Sequence, residues 1–338
     1  MKHAQWFLEL AERTQEDPRE GNVASFAHVA GEDANFRQAL SWAMQTGERG
    51  IALRLAYALS GYWFMRGHLR EGLRWLQTTL AGTEEQPSLR AKALAQAADF
   101  ARSLGDAEQA ESFASESLEL SRKLGDALGI ARGLHELGES AMEREDFKLA
   151  RALYEESIAV ARQAGDPGAS SMNNLADLAL TEGDYLRAKV LAEEVVRLAR
   201  QAGNDYGVAA SLFNAASAAA QMDQSSQAEA YLKESAELSC KLGDRVGCAY
   251  CLELAAFLSA RGGEGRRAVD LLCASEVLLD ETGASLGPAE QRVHEQTREI
   301  LERDLGQATL ETAWAESRKM SSEQAMDLAS HMLDRSLV

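Results

Sequence analysis

Residues 122–168 read RKLGDALGIARGLHELGESAMEREDFKLARALYEESIAVARQAGDPG. A Gly-Asp step stands near each end, at Gly125-Asp126 and Gly165-Asp166, and Glu145-Asp146 takes a similar place in the middle. Leu134, Leu137 and Ala141 precede that middle step, and Ala150, Leu153, Tyr154 and Ile158 follow it. Spacings of three and four put each set on one face of a helix. Glycine can end a helix in the left-handed conformation at little steric cost. An aspartate just after it can cap the next helix by accepting a bond from an orphan N–H. The stretch therefore predicts a helix, a tight turn, a second helix and another turn.

The same unit recurs. Ala110, Ala150, Ala188, Ala228 and Ala268 are 40, 38, 40 and 40 residues apart, and Gly72 extends the series backwards. Gly125, Gly165, Gly203, Gly243 and Gly283 keep the same period. A third series, Gly105-Asp106, Glu145-Asp146, Gly183-Asp184, Met222-Asp223 and Gly262-Gly263, marks the turns inside the units. A period of this length predicts an all-α solenoid of stacked helix pairs. About six pairs are expected over 49–285, with helical regions at 1–48 and 286–338.

Composition narrows the function. The 338 residues carry a formal net charge of −18, which repels a phosphate backbone and argues against nucleic acid as a direct partner. No apolar run is long enough to span a bilayer, and the N-terminus lacks the apolar core of a signal peptide. Four cysteines do not form a disulfide framework, so a reducing, cytoplasmic setting is expected. Cys248-x2-Cys251 has zinc-like spacing, but a second such pair is missing and both residues fall on one expected helix. Buried small residues are the favoured reading. The histidines are scattered, and no nucleophile–base constellation or phosphate loop is evident. No metal, cofactor or catalytic residue is expected. The tryptophans, concentrated towards the ends, are read as packing residues.

Phe147-x2-Ala150-x3-Tyr154-x2-Ser157, with Leu137-Gly138 upstream, resembles the tetratricopeptide repeat. So do Asn174-Leu175-Ala176 with Tyr185-x2-Ala188, and Gln227-Ala228-x3-Leu232-x2-Ser235. The period of about 40 exceeds the usual 34, and Gly-Asp replaces the proline that often closes a repeat. The resemblance implies a right-handed superhelix with a concave side.

The ends resemble the region around the repeats of large bacterial signalling ATPases of the STAND type, including LuxR-like ATP-dependent transcription regulators. The relevant residues are Glu32 to Ala43, Tyr62-Trp63-Phe64-x2-Gly67-His68 with Trp75-Leu76, and Trp314 with Met320-Ser321. The ATPase loop and a basic DNA-binding helix pair do not occur in this sequence. The resemblance thus implies a C-terminal sensor and scaffold region, with a protein or peptide partner that could be an ATPase or signalling domain. Oligomeric state stays open.

Carried onto the first helix of each pair, the repeat pattern implies a concave groove bearing Lys92, Asp99, Arg132, His135, Glu139, Glu143, Asn173, Asp177, Phe213, Tyr250, Glu253, Phe257 and Arg261. Asn174 and its equivalent Asn214 join this set as contacts for a ligand backbone or a neighbouring helix. Asparagine amides could hold a peptide backbone while Phe213, Tyr250 and Phe257 anchor side chains. A small-molecule inducer on the same face is the alternative.

Overall fold

The computed structural model describes residues 2–16, 31–65, 68–81 and 86–332, and all regular structure among them is α-helix. The chain divides into two compact units, Met1–Gly168 and Ala169–Val338. The first contains α1 (Lys2–Glu16), α2 (Asp33–Gln45), α3 (Arg49–Met65), α4 (Leu69–Leu80), α5 (Pro87–Ser103), α6 (Ala107–Leu124), α7 (Ala127–Glu143) and α8 (Phe147–Gln163). The second contains α9 (Ala169–Glu182), α10 (Tyr185–Ala202), α11 (Asp205–Gln221), α12 (Ser225–Leu242), α13 (Arg245–Arg261), α14 (Gly265–Thr282), α15 (Pro288–Leu305), α16 (Gln307–Ser317) and α17 (Ser322–His331). Successive helices from α3 to α14 pack as pairs, three pairs in each unit, and the expected all-α solenoid architecture is present. Gly67 of the expected N-terminal junction lies outside the described residues.

The turns follow from backbone chemistry. Gly125, Gly203, Gly243 and Gly283 end α6, α10, α12 and α14 with φ between 66° and 70°. A side chain would be strained in that left-handed region. Asp126, Asp146, Asp184 and Asp244 then cap the following helices, each accepting a backbone N–H three residues on at 3.0–3.2 Å. Asn204 serves α11 in the same way.

The register of the third turn series needs correction. The internal turns fall at Asp223-Gln224 and Gly263-Glu264, one residue later than Met222-Asp223 and Gly262-Gly263. Asp223 occupies the glycine position with φ 59°, and Glu145 does so at its own turn, also with φ 59°. Gln224 and Glu264 then stand at the N-caps, without a side-chain capping bond. At the first turn an aspartate occupies the left-handed site rather than the cap, and at the second the later of two adjacent glycines does so.

Small buried residues bring the paired helices together. Ala110, Ala150, Ala188, Ala228 and Ala268 are all at most 2% exposed. Gly138 lies under the Tyr154 ring, where a Cβ would stand 2.5 Å from a ring carbon. Serine hydroxyls on the second helix donate to carbonyls on the first: Ser117 to Ala91 (2.8 Å), Ser157 to Ala131 (2.7 Å) and Ser235 to Ala209 (2.8 Å). One expectation fails at the N-terminus, where Trp6 is 54% exposed and meets Phe7 edge-on.

Removing the Asp184 cap by Asp184→Ala is expected to cost about 1 kcal/mol in urea denaturation. Glu145→Gly should act in the opposite direction, relieving a left-handed side chain worth roughly 1 kcal/mol.

Candidate functional site

In the second unit, α9, α11 and α13 lie side by side as the first helices of their pairs. They border a pocket of about 260 Å³, completed by the N-terminal end of α15. Asn173, Asn174 and Asp177 come from α9, Phe213 and Asn214 from α11, and Tyr250 from α13. Six of the residues singled out from the sequence thus share one cavity. Tyr206, Asp244 and Glu290 also line it and were not anticipated. Asp244 follows the helix-ending Gly243 and caps α13, and Glu290 lies on a helix whose placement the repeat pattern does not specify.

Two asparagines form part of the pocket's framework. Asn173 Oδ1 accepts from Ser211 Oγ at 2.8 Å and from Asn214 Nδ2 at 3.3 Å. Both bonds join α9 to α11 and position the amides at the wall. The Phe213 and Tyr250 rings lie 5.8 Å apart, centroid to centroid. Tyr250 donates its hydroxyl to the Ser285 carbonyl at 3.1 Å, and burial pushes its phenol pKa up.

The lining has one sign of charge. Asp177, Asp244 and Glu290 border the cavity, and no lysine, arginine or histidine among the described residues does. Burial raises the Glu290 pKa, although backbone N–H groups at the start of α15 act against the shift. Such a wall favours a ligand carrying positive charge, with aromatic faces available to the same group.

Helix α15 holds the pocket's far side by polar bonds to the three first helices. Arg292 donates to the carbonyls of Thr181 (2.6 Å) and Leu180 (3.3 Å), which end α9. Gln221 of α11 donates to Gln296 at 2.9 Å, and His294 Nδ1 lies 3.0 Å from Glu253 Oε2 of α13. Glu253 is therefore a buried helix-to-helix partner, 1% exposed. A smaller cavity is lined in part by Phe213, Leu254 and Val293, where α15 meets α11 and α13.

The other candidates lie elsewhere. Phe257 is buried in the core. Arg261 stacks over its ring at 5.4 Å, donates to the Ala220 carbonyl at 3.0 Å and pairs with Asp223, so it secures the α11–α12 turn. In the first unit, Arg132 reaches Gln96 and Asp99 (3.3 and 3.5 Å), while Arg102 reaches Glu139 at 3.6 Å. Tyr154 donates to Glu139 at 2.7 Å, and His135 packs beside the same ring. Loss of water lowers the His135 pKa and raises that of Glu136 well above the usual carboxylate range. Arg132, His135 and Glu139 thus belong to an internal network joining α5, α7 and α8. The structure does not place them with the pocket residues. Lys92 is not among the lining residues of the pocket either.

Comparison with known proteins agrees with the helical-repeat fold. A tetratricopeptide-repeat family model matches residues 89–163 and 169–241. Those stretches are tetratricopeptide repeats. The pairs α5/α6 to α11/α12 fall within them, and the repeat-like α13/α14 follows. Among curated proteins, the chain is similar to a candidate HTH-type transcriptional regulator of Mycobacterium bovis, 28% identical over 177 residues. That match covers 49% of this chain and 20% of the relative, so the chain spans a minor part of the relative's length. A Mycobacterium tuberculosis counterpart matches to the same extent. Among solved structures, a Rap protein complexed with competence and sporulation factor shares the fold with a TM-score of 0.65 at 12% identity, covering 96% of this chain and 98% of that one. A STAND protein with a tetratricopeptide-repeat sensor from Pyrococcus horikoshii gives 0.51 at 15% identity, covering 94% and 55%. No helix among the described residues is long and apolar enough to cross a membrane.

The His294–Glu253 pair sets a pH dependence. The hydrogen bond to Glu253 raises the His294 pKa despite partial burial. Its contribution to stability is full below the unfolded value of about 6.5 and fades as pH rises through the higher folded value. His294→Gln should therefore lower the unfolding midpoint more at about pH 5.5 than at about pH 8.5. An equal loss at both would show that the pair is not ionic.

Proposed function

We propose that this chain is a non-catalytic interaction scaffold in which the pocket bordered by α9, α11 and α13 takes up a short segment of a protein or peptide. It would serve as the sensor or regulatory region of a bacterial signalling or transcription-regulatory system. The observation that carries the reading is the convergence of Asn173, Asn174, Asp177, Phe213, Asn214 and Tyr250 on one cavity. Amides suit a peptide backbone, aromatic rings suit a side chain, and carboxylates suit a cationic group. The repeat family and the fold shared with a Rap protein complexed with competence and sporulation factor support this use. The resemblance to candidate HTH-type regulators and to a STAND protein supports the regulatory setting, with an ATPase or signalling domain as a natural partner.

A second reading, a small-molecule inducer, is favoured by the cavity's size and by the partial closure that Gly287 and Glu290 provide. Both readings use the same residues and differ in the occupant.

Panning a random heptapeptide phage library on the immobilised chain tests the first reading. Enriched sequences should carry lysine or arginine. Affinity for a synthetic copy should fall by about tenfold, or 1.4 kcal/mol, in Tyr250→Ala and in Asp177→Asn. Equal enrichment on a folded Asn214→Ala/Tyr250→Ala double variant would remove the pocket as the site. Absence of peptide enrichment, with a metabolite of fixed mass retained in native mass spectrometry, would select the inducer reading.

A further inference from the structure

Cys240 lies in the last turn of α12, and Cys248 lies near the start of α13, across the turn formed by Gly243 and Asp244. Their sulfurs are 3.2 Å apart. Cys240 is partly exposed, whereas Cys248 is fully buried. We propose that Cys240 and Cys248 are a reversible thiol–disulfide pair that responds to peroxide-class oxidants and cross-links the joint between α12 and α13. The inference stands on this contact and does not depend on the proposed function.

The geometry asks little of the backbone. A disulfide has an S–S distance of about 2.05 Å, so the sulfurs need to approach by only about 1.2 Å. Rotation of the partly exposed Cys240 side chain, at a helix end, can supply much of that movement. The other two thiols have different surroundings. Cys251 Sγ lies 3.4 Å from Ser235 Oγ in the core, and Cys273 Sγ lies 3.9 Å from the Trp314 carbonyl. Burial pushes the thiols of both up to about 12.

The pair also divides the chemical labour. The contact with Cys248 stabilises the Cys240 thiolate and lowers its pKa, with a further contribution from His331 of α17, while partial burial and Asp244 oppose the shift. The same contact raises the Cys248 pKa. Cys240 is thus the attacking sulfur. Its thiolate donates an electron pair to one peroxide oxygen, an S–O bond forms, the O–O bond breaks and hydroxide leaves. The Cys248 sulfur then attacks the Cys240 sulfenic acid. The S–S bond forms, the S–O bond breaks, and the hydroxyl departs with the Cys248 proton as water. The proton that Cys240 gave up neutralises the hydroxide. Two thiols and one hydrogen peroxide become one disulfide and two waters, and a small thiol reductant reverses the product.

The site is placed to matter locally. Ser239, Asp244 and Gly247 line the pocket of the second unit and lie in or beside the loop that the bond would close. Asp244 also caps α13 through the Gly247 N–H at 3.0 Å. A Cys240–Cys248 bond would tie these three wall positions to one spacing.

The test treats the reduced 338-residue chain with near-stoichiometric hydrogen peroxide, alkylates the remaining thiols and maps non-reduced tryptic peptides by mass spectrometry. The expected product is a monomer with two of its four cysteines protected from alkylation. Residues 234–241 should be linked to residues 246–261 through Cys240 and Cys248, with dithiothreitol restoring all thiols. Cys240→Ser, which alters a partly exposed position, should show no intramolecular link at the same dose. Recovery of Cys240 as a sulfinic acid with Cys248 still alkylated would overturn the proposal. So would a link through Cys251, a link between chains, or no thiol loss.

Discussion

The close approach of two helices across a small side chain is the constraint on which the rest of the structure depends. At Ala110, Ala150, Ala188, Ala228 and Ala268 there is almost no exposed surface, so a larger residue would have to displace a helix. The buried serine bonds operate at the same interfaces. Ser117, Ser157 and Ser235 each join the second helix of a pair to a carbonyl of the first. The equivalent position in α10 is Val195, which fills the space without a hydrogen bond, and Ser275 keeps the hydroxyl without a partner. Packing is therefore the common element and the hydrogen bond an addition to it. Close pairs allow first helices to lie beside one another, and that row presents the side chains of the candidate site.

The two units use their polar residues differently. In the first, Arg102, Arg132, Asp99, Glu136 and Glu139 face one another; against the opposing effect of burial, Glu139 and Asp99 raise the Arg102 pKa, whereas burial raises that of Glu136. Such a network specifies how α5 and α7 meet, because a buried charge separated from its partner is costly. In the second unit, Asp177, Asp244 and Glu290 border the pocket, and its lining among the described residues includes no lysine, arginine or histidine.

Helix α15 joins the repeat surface to the chain that follows it. Arg292 binds the carbonyls at the end of α9, where an α-helix leaves acceptors without internal partners. His294 and Gln296 bind α13 and α11. The helix thereby uses polar groups of the same surface that carries the candidate site, and its first turn supplies Glu290 to the pocket. A segment after the last repeat consequently helps to shape the site as well as covering apolar residues.

Much of the fold is legible in the sequence because its signals are local. Glycine at a helix end, aspartate at the next start and alanine at a fixed period act through nearby backbone or the adjacent helix. The same locality explains the one-residue error at Asp223, since aspartate suits both a cap and a left-handed turn. Within the candidate site, Asn173, Asn174, Asp177, Phe213, Asn214 and Tyr250 were accessible from the repeat pattern, which specifies helix faces. The sequence by itself determined the helix pairs, their period and the faces presented by their first helices. Only the tertiary structure decided that Arg132, His135 and Glu139 serve an internal network, that Arg261 secures a turn and that Glu290 reaches the pocket. Those outcomes depend on contacts between residues about 15 to more than 100 positions apart, whereas helical periodicity reports only which side of its own helix a residue occupies.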